Sequence, residues 1–202
     1  MEAFNGREKE MTMKNMKQII SIVTAIAAIG IGALFVNENQ QPSETKTQEQ
    51  QSAQSKDQTE VTLERVVDGD TILMKDKGER KRMRLLLIDT PESNTQKTGS
   101  AQPYGKEAKE FLTSYLKGKK LTIEYDPKHE KVDQYDRTLA YLYADNELVE
   151  EVLLKEGLAR LGYYSGDELY FQKLKDAEES ARKAKKNIWS KDGYVGKKGF
   201  ND

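Results

Sequence analysis

The stretch "EVTLERVVDGDTILMKDKGERKRMRLLLIDTPE", residues 60–92, decides the fold. Its β-branched and alternating apolar residues predict three strands, "EVTLERVV", "TILMK" and "RKRMRLLLID". The "DGDT" and "KDKGE" segments between them are typical of tight turns, because aspartate and glycine tolerate turn geometry. Four consecutive apolar residues, 85–88, indicate that the third strand is buried. The segment therefore predicts a hairpin with a third strand running back past it.

One helix, two strands and two further helices are predicted after this segment. Their ranges are helix 103–118, strand 119–126, strand 138–144, helix 147–157 and helix 168–187. Five strands with a helix inserted after the third, then helices, are typical of a small closed barrel of the OB type. We therefore expect an α+β fold, a five-stranded OB-type β-barrel with three helices, over residues 60–196, followed by a tail at 197–202.

The N-terminal region is predicted to be a targeting segment. Residues 19–36, "IISIVTAIAAIGIGALFV", are uncharged and follow a segment that contains Lys14 and Lys17. Such a run is typical of a signal peptide or a membrane anchor, so residues 1–36 are assigned to one of these. No A-x-A cleavage site ends the run, which favours an uncleaved anchor. Residues 37–59 lack aromatics and large aliphatics, which predicts a flexible polar linker. We expect a secreted or cell-membrane-anchored protein with its folded domain outside the cell.

Composition limits the chemistry that the chain can perform. It has no cysteine and a single histidine, His129, which excludes a thiol nucleophile, a cysteine-based zinc site and a multi-histidine metal site. The 33 basic and 34 acidic residues nearly cancel, so only local charge placement can argue for a polyanionic partner. A hydrolase built from this sequence must use carboxylates, arginines, tyrosines and an oxygen-liganded metal.

Four acidic residues are candidates for a metal site and its surroundings. Asp68 and Asp70 flank a glycine between two strands, a pattern that usually forms a turn and nothing more. The third strand would bring Asp89 near Asp70, and two facing carboxylates repel unless a hard cation such as Ca²⁺ lies between them. Pro91 fixes the following turn, where Glu92 could polarise a water molecule.

Two arginines are candidate phosphate ligands. Strand periodicity places Arg84 on the face of Leu86 and Ile88, not on that of Asp89, so a bulge or strong curvature would be needed to bring it to the carboxylates. A surface cation is an equally good interpretation of Arg84 from spacing alone. Arg137 follows a polar loop and could face the same site, or be an ordinary loop arginine.

The aromatic and histidine candidates lie in polar loops. Tyr163 and Tyr164 follow the second helix and could stack on bases or sugars, or cap the core. His129 is interpreted as a solvated loop residue.

Residues 60–190 resemble the staphylococcal nuclease, or thermonuclease, family of calcium-dependent phosphodiesterases. The matching motifs, in order, are "VVDGDT", "MRLLLIDTPE", "YGKEA", "YDRTLAYLYADN", "LVEEVLLKEGLAR" and "NIWS". The resemblance implies that Asp70, Asp89 and the carbonyl of Thr90 bind Ca²⁺, with Asp68 supporting them. It further implies that Glu92 is the general base, that Arg84 and Arg137 hold the scissile phosphate, and that Tyr135 and Tyr163 line the nucleotide pocket.

The sequence departs from the family pattern only at substrate contacts. Asp136 stands where the family usually has glycine, and Gln134 replaces a basic residue. The second pocket tyrosine falls on Ser165, with Tyr164 one position early. The loop 93–103 is one residue longer than in the best-known member. These changes concern base preference and affinity, not the type of reaction.

Three functions are compatible with these features. The first is a Ca²⁺-dependent nuclease acting on DNA, RNA or both, expected to be a monomer. The second is a catalytically inactive nucleic-acid-binding module, since OB barrels often only bind. The third is a surface-anchored interaction domain. The combination of three carboxylates with two arginines favours the enzyme, because a pure binder gains nothing from carboxylates where an anion must sit.

Overall fold

The computed structural model describes residues 57–94 and 99–201. The predicted targeting segment 1–36 and all but the last three residues of the predicted linker 37–59 lie outside the described residues. Residues 95–98, within the loop after the third strand, lie outside them as well. Within the described ranges, no helix has both the length and the apolar character that crossing a bilayer requires.

The described chain contains ten strands, three α-helices and one short 3-10 helix. The strands are β1 (Thr59–Asp68), β2 (Thr71–Asp76), β3 (Glu79–Leu85), β4 (Ile88–Asp89), β5 (Leu121–Glu124), β6 (Arg137–Ala144), β7 (Glu147–Leu148), β8 (Arg160–Leu161), β9 (Val195–Gly196) and β10 (Gly199–Phe200). The helices are α1 (Gly105–Leu116), α2 (Val149–Lys155), α3 (Phe171–Lys183) and the 3-10 helix Asn187–Ser190.

Five strands close into a barrel, which confirms the predicted fold class. Their order is β3-β2-β1-β5-β6, and β6 pairs back on β3 in parallel to complete the circle. The other four pairings of the barrel are antiparallel. The β6–β7 pairing continues the sheet beyond the closed part. Closure gives each of the five strands a pairing partner on both sides.

The apolar core lies inside the barrel and extends under the three helices. Ile72, Met74 and Met83 fill the barrel and are fully buried. Leu112 of α1 and Leu174 of α3 are also fully buried and belong to the same cluster. The helices therefore pack against the barrel through their predicted apolar faces.

The predicted third strand, residues 80–89, is wrong in one respect that matters for the site. The strand ends at Leu85, and Leu87 adopts a left-handed φ of 60° before the short β4 begins at Ile88. The fully apolar sequence gave no signal for this break, because leucine rarely adopts such a conformation. The break rotates Asp89 relative to Arg84, which strand periodicity had placed on opposite faces.

The chain beyond the third helix folds back on the domain. Strands β9 and β10 form a small hairpin that extends past residue 196, the predicted end of the domain. The Tyr194 hydroxyl donates a hydrogen bond of 2.6 Å to the carbonyl of Pro103, just before α1. Phe200 packs on the same tyrosine ring at a centroid distance of 5.4 Å. The hairpin is thus tied to the segment that precedes α1.

Candidate active site

The turn between β1 and β2 is packed tightly against the next two elements. A Cβ atom at Gly69 would lie 2.7 Å from the Thr90 hydroxyl and 2.8 Å from the Ala108 Cβ, so only glycine fits there. Asp68 is buried and accepts hydrogen bonds from the backbone N–H groups of Gly69 (2.9 Å) and Ser93 (3.2 Å). Asp68 therefore fixes the turn to the segment that follows β4, and it does not line the open cleft.

Asp70 is held by a dense set of donors. Its Oδ2 atom accepts hydrogen bonds from both the backbone N–H and the hydroxyl of Thr90, each at 3.1 Å. Its Oδ1 atom accepts one from the Thr71 hydroxyl at 2.9 Å. The Arg84 Nη1 atom lies 2.7 Å from the same Oδ2 atom. The carboxylate is consequently oriented from three sides and almost fully buried.

Asp89 contacts two cations: Arg84, which also contacts Asp70, and Arg160. The Arg84 Nη2 atom lies 3.4 Å from Asp89 Oδ1, and the Arg160 Nη1 atom lies 3.1 Å from Asp89 Oδ2. Burial is the largest influence on the pKa of the Asp89 carboxyl and raises it. The neighbouring Asp70 also raises this pKa, whereas Arg84 and Arg160 lower it, and the net shift is upward. The raised pKa indicates that the two guanidiniums do not fully offset the cost of burying the Asp89 charge next to Asp70.

Arg160 was missed by the sequence reasoning. Its backbone pairs directly with Asp89 in the β4–β8 ladder, and its guanidinium also donates to the Lys197 carbonyl at 3.0 Å. The side chain is only 12% exposed. Arg160 is the last residue of the "LVEEVLLKEGLAR" motif. Nothing in the spacing of that motif indicated that Arg160 would lie in a two-residue strand paired with β4.

The donor set fits a hard divalent cation. Asp70 and Asp89 converge on one guanidinium, so two carboxylates face a common cationic centre, and carboxylate oxygens are the ligands that Ca²⁺ prefers. Among residues 57–94 and 99–201, no group of three or more acidic or histidine side chains forms a ready-made metal cluster. A cation here would need its further oxygen ligands from the backbone, from water or from the substrate.

Glu92 lies at the same cleft but on a separately fixed segment. Its backbone N–H donates to the Gln102 side chain at 2.9 Å, and its carbonyl accepts from the Gln102 N–H at 2.9 Å. A Cβ atom at Gly105 would overlap that carbonyl, so the start of α1 packs directly against the Glu92 backbone. The Glu92 backbone is thus held by Gln102 and the start of α1, while Asp68 of β1 holds the next residue, Ser93.

Arg137 is the first residue of β6, and its side chain is held by Asp133, for which the sequence predicted no role. Asp133 Oδ2 lies 2.7 Å from Arg137 Nε and 2.6 Å from Nη2, while Oδ1 accepts the backbone N–H groups of Tyr135 and Arg137 at 2.9 Å. Burial acts to raise the pKa of Asp133, but these hydrogen bonds outweigh it and lower the pKa. The intervening Asp136 has a left-handed φ of 58°.

Two exposed tyrosines stand over the two arginines. The Tyr135 ring centre lies 5.3 Å from the Arg137 guanidinium carbon, and the Tyr163 ring centre lies 5.7 Å from that of Arg84. The rings are 68% and 75% exposed. Exposed aromatic rings beside cations are suited to a ligand that combines flat bases with phosphates.

The loop that carries Tyr163 is anchored by Glu168. This carboxylate accepts the backbone N–H groups of Ser165 (2.5 Å) and Gly166 (2.8 Å) and the Ser165 hydroxyl (2.9 Å). Burial opposes ionisation, but these donors lower the pKa of Glu168 to about 2. His129, interpreted from sequence as solvated, is half-buried at the cleft margin, with Nε2 3.5 Å from Glu168 Oε1.

Seven of the nine predicted site residues line one cleft of about 770 Å³. The seven are Asp70, Arg84, Asp89, Glu92, Tyr135, Arg137 and Tyr163. The remaining two, Asp68 and Thr90, are buried outside the cleft lining: Thr90 donates hydrogen bonds to Asp70, and Asp68 accepts one from the backbone N–H of Ser93, next to Glu92. The fold and the cleft together define an OB-barrel protein that presents arginines and carboxylates to an anionic ligand.

Comparison with known proteins agrees with this class. The model of the family described as staphylococcal nuclease homologue matches residues 82–191, more than half of the chain. The SPbeta prophage-derived endonuclease YokF of Bacillus subtilis (strain 168) is 46% identical over 148 residues, covering 72% of this chain and 49% of the relative. Endonuclease YncB of the same organism is 42% identical over 161 residues, covering 79% and 75%. Thermonuclease of Staphylococcus hyicus is 45% identical over 126 residues, covering 62% and 73%.

The chain belongs to the staphylococcal nuclease family. The resemblance inferred from six motifs is thereby confirmed. The chain spans about half the length of the first of these relatives and three quarters of the second.

Proposed function

We propose that this protein is a Ca²⁺-dependent nuclease that hydrolyses phosphodiester bonds of DNA, RNA or both. The observation that carries the proposal is the convergence of Arg84 and Arg137 with Asp70, Asp89 and Glu92 on one cleft. The relatives named endonuclease and thermonuclease support the same class of reaction.

Arg84 and Arg137 would hold the scissile phosphate. Each guanidinium is already fixed by a carboxylate, Arg84 by Asp70 and Arg137 by Asp133, so little side-chain freedom is lost when a phosphate binds. The planar fork of arginine can donate two parallel hydrogen bonds to phosphate oxygens, which lysine cannot do. Charge that develops on those oxygens during hydrolysis would be stabilised by the same donors.

Asp70, Asp89 and the Thr90 carbonyl would hold the Ca²⁺ ion, with Asp68 supporting them from behind. When bound, the ion would polarise a phosphoryl oxygen and orient the attacking water. The residues themselves are fixed in place without it, because Asp70 is oriented by Thr90 and Asp89 by Arg160. Weak affinity is expected from so few carboxylates, as in extracellular calcium sites.

Glu92 would accept a proton from the attacking water. Its backbone is fixed by Gln102 and by the start of α1, which holds the residue at the cleft. A general base must lie within hydrogen-bond reach of the proton that it removes, and its contribution is typically about 10²- to 10⁴-fold in rate. Tyr135 and Tyr163 would stack on the nucleotide at the rim.

A digestion assay tests the proposal. The purified full chain should degrade single-stranded DNA in Ca²⁺ at roughly millimolar concentration and stop when a chelator is added. Glu92→Gln and Arg137→Ala should each lower the rate by about a hundredfold or more, whereas the surface control Lys117→Gln should not. Full activity in either site variant would refute the mechanism. Binding without any Ca²⁺-dependent cleavage would favour the alternative, a catalytically inactive nucleic-acid-binding module.

We further propose that the nuclease domain acts outside the cell, joined by the polar linker 37–59 to the apolar segment 19–36. The supporting observations are the uncharged run, its basic flank and the absence of cysteine, which excludes lipidation of the chain as an anchor. Immunoblotting of membrane and medium fractions tests this. Recovery of the full-length chain only from the soluble cell interior would contradict it.

A further inference from the structure

A row of arginines crosses the outside of the barrel, starting at the candidate active site. In the β6–β3 ladder Arg137 pairs with Arg82, in the β3–β2 ladder Arg82 pairs with Leu73, and in the β2–β1 ladder Leu73 pairs with Arg65. These four residues therefore lie side by side on four neighbouring strands. With about 4.8 Å between strands, the row extends about 14 Å from Arg137 to Arg65.

All members of the row face away from the core. Their chain neighbours Ile72, Met74 and Met83 are fully buried inside the barrel, and side chains alternate between the two faces of a strand. Arg65 and Arg82 are exposed, and Leu73 between them is half-buried. The row is thus an outer surface of the barrel and not part of its core.

Two of these arginines carry uncompensated charge. Within the described part of the chain, neither Arg65 nor Arg82 forms an ion pair with another described residue, whereas the neighbouring Arg80 and Lys81 are paired with Glu64 and Asp76. The shallow groove around the row is lined by five basic and two acidic side chains. Because the whole chain has a net charge of only −1, this is a local concentration of positive charge.

The groove is continuous with the candidate active site. Arg82 and Tyr135 line both the groove and the cleft that holds Arg84 and Arg137. A second aromatic ring, Tyr125, also lines the groove, and the Lys131 Nζ atom lies 4.8 Å from its centre. A polymer held at the cleft could therefore leave it directly along the arginine row, past two tyrosines.

We propose that this groove binds the phosphate backbone of a single-stranded polynucleotide on one side of the scissile phosphate. The inference rests on the proposed nuclease function and extends it to the substrate class, a strand of several nucleotides. Regularly spaced guanidiniums match a chain of phosphates, and exposed tyrosines offer stacking surfaces that unpaired bases can use. A paired duplex keeps its bases stacked inside and gains nothing from the tyrosines, so the single strand is the preferred ligand.

Binding is measured separately from cleavage. The full chain is titrated, in chelator so that no hydrolysis occurs, into a fluorescein-labelled oligodeoxynucleotide of about 12 nucleotides and into a labelled trinucleotide, at about 0.05–0.4 M KCl. The test variant is Arg65→Gln/Arg82→Gln. The matched control is Lys117→Gln/Arg182→Gln, which removes two exposed positive charges at the ends of α1 and α3 that line neither the groove nor the cleft.

The salt dependence gives the decisive readout. Each phosphate contact on a single strand contributes about 0.7 to the slope of log Kd against log salt, so loss of two contacts should lower the slope by about 1.4. If the variant and the parent bind equally at about 1 M salt, the variant should bind the longer strand about 25-fold more weakly than the parent at about 0.1 M salt. The preference for the longer strand over the trinucleotide should shrink in the same variant, and the control should keep both.

The outcomes separate the groove from the catalytic proposal. An unchanged salt slope in Arg65→Gln/Arg82→Gln, or an equal loss in the control, would overturn the groove even if the parent cleaves DNA. A reduced slope and reduced length preference would support the groove even if the parent cleaves nothing, a result that would refute only the nuclease activity. Displacement of the oligonucleotide by polyglutamate at equal charge concentration would also overturn it, because acidic polymers would then bind equally well.

Discussion

Glu168 is expected to be the strongest electrostatic support of the loop that carries Tyr163. Its side chain is fully covered, and it accepts three hydrogen bonds from Ser165 and Gly166. The replacement Glu168→Gln keeps the size of the side chain but removes the charge, and its amide NH₂ cannot accept a hydrogen bond. The variant should therefore lose stability and loosen the loop without disturbing the apolar core.

The magnitude follows from the pKa. A fall from the ordinary value of 4.5 to about 2 corresponds to about 3 kcal/mol, because one pKa unit is about 1.4 kcal/mol. The loop lies at the surface, where solvent screening weakens electrostatic interactions, so we expect a loss of about 2 kcal/mol at neutral pH. Because the folded-state pKa is depressed, this contribution is complete above about pH 5 and disappears as the pH falls towards about 2.

Urea denaturation at several pH values measures this effect. The stability difference between the parent and Glu168→Gln should be largest near neutral pH and close to zero near about pH 2. The control is Glu179→Gln, which removes only an exposed carboxylate paired with Lys183 on α3 and should leave the stability almost unchanged. A parent and a Glu168→Gln variant of equal stability at neutral pH, or a difference independent of pH, would refute the reasoning.

Three further predictions concern residues that position the site. Arg160→Gln removes one of the two guanidiniums at Asp89 and should lower kcat about tenfold in the oligonucleotide cleavage assay; an unchanged kcat would show that Arg84 suffices. Asp133→Asn removes the charge that fixes Arg137 and should lower kcat/KM about tenfold while circular dichroism stays native-like; a value equal to the parent's would contradict a positioning role. Gly69→Ala places a Cβ 2.7 Å from the nearest oxygen and should destabilise the protein by about 1–3 kcal/mol in urea; a neutral substitution would show that the turn can relax.

The fold could be predicted because its signals are local and regular. Alternation in β1, β2 and β5, the apolar face of α1 and the turn residues between strands all act over a few positions, and the structure contains each of these elements. Barrel closure was predicted from the element order, and the parallel β3–β6 pairing confirms it. Helix ends were predicted two to four residues too long, because fraying and capping are decided by contacts that a sequence window does not contain.

The candidate site could be predicted only in part, because its geometry depends on one non-local event. The β2–β3 ladder places Arg84 beside Asp70, and the break at Leu87 then brings Asp89 within ion-pair distance of the same arginine. Periodicity alone left Arg84 as an equally plausible surface cation, and the family resemblance selected the alternative. Arg160 contacts Asp89 and Asp133 contacts Arg137. Neither contact is predicted by a local sequence pattern around Arg160 or Asp133.

Backbone conformation, more than residue identity, sets the geometry around the cleft. Leu87, Asp136 and Tyr163 all have left-handed φ angles of 57–60°, a conformation that costs a non-glycine residue about 1–2 kcal/mol. Asp136 stands where the family usually has glycine. Its N–H nevertheless donates a hydrogen bond of 3.1 Å to the Asp133 carbonyl, and Arg137, the next residue, lines the cleft. Aspartate tolerates this region better than most residues, and glycine would add about 0.4–1 kcal/mol of unfolded-state entropy. The entropy term offsets part of the strain, so the departure from glycine can be accommodated without moving the arginine that the turn positions.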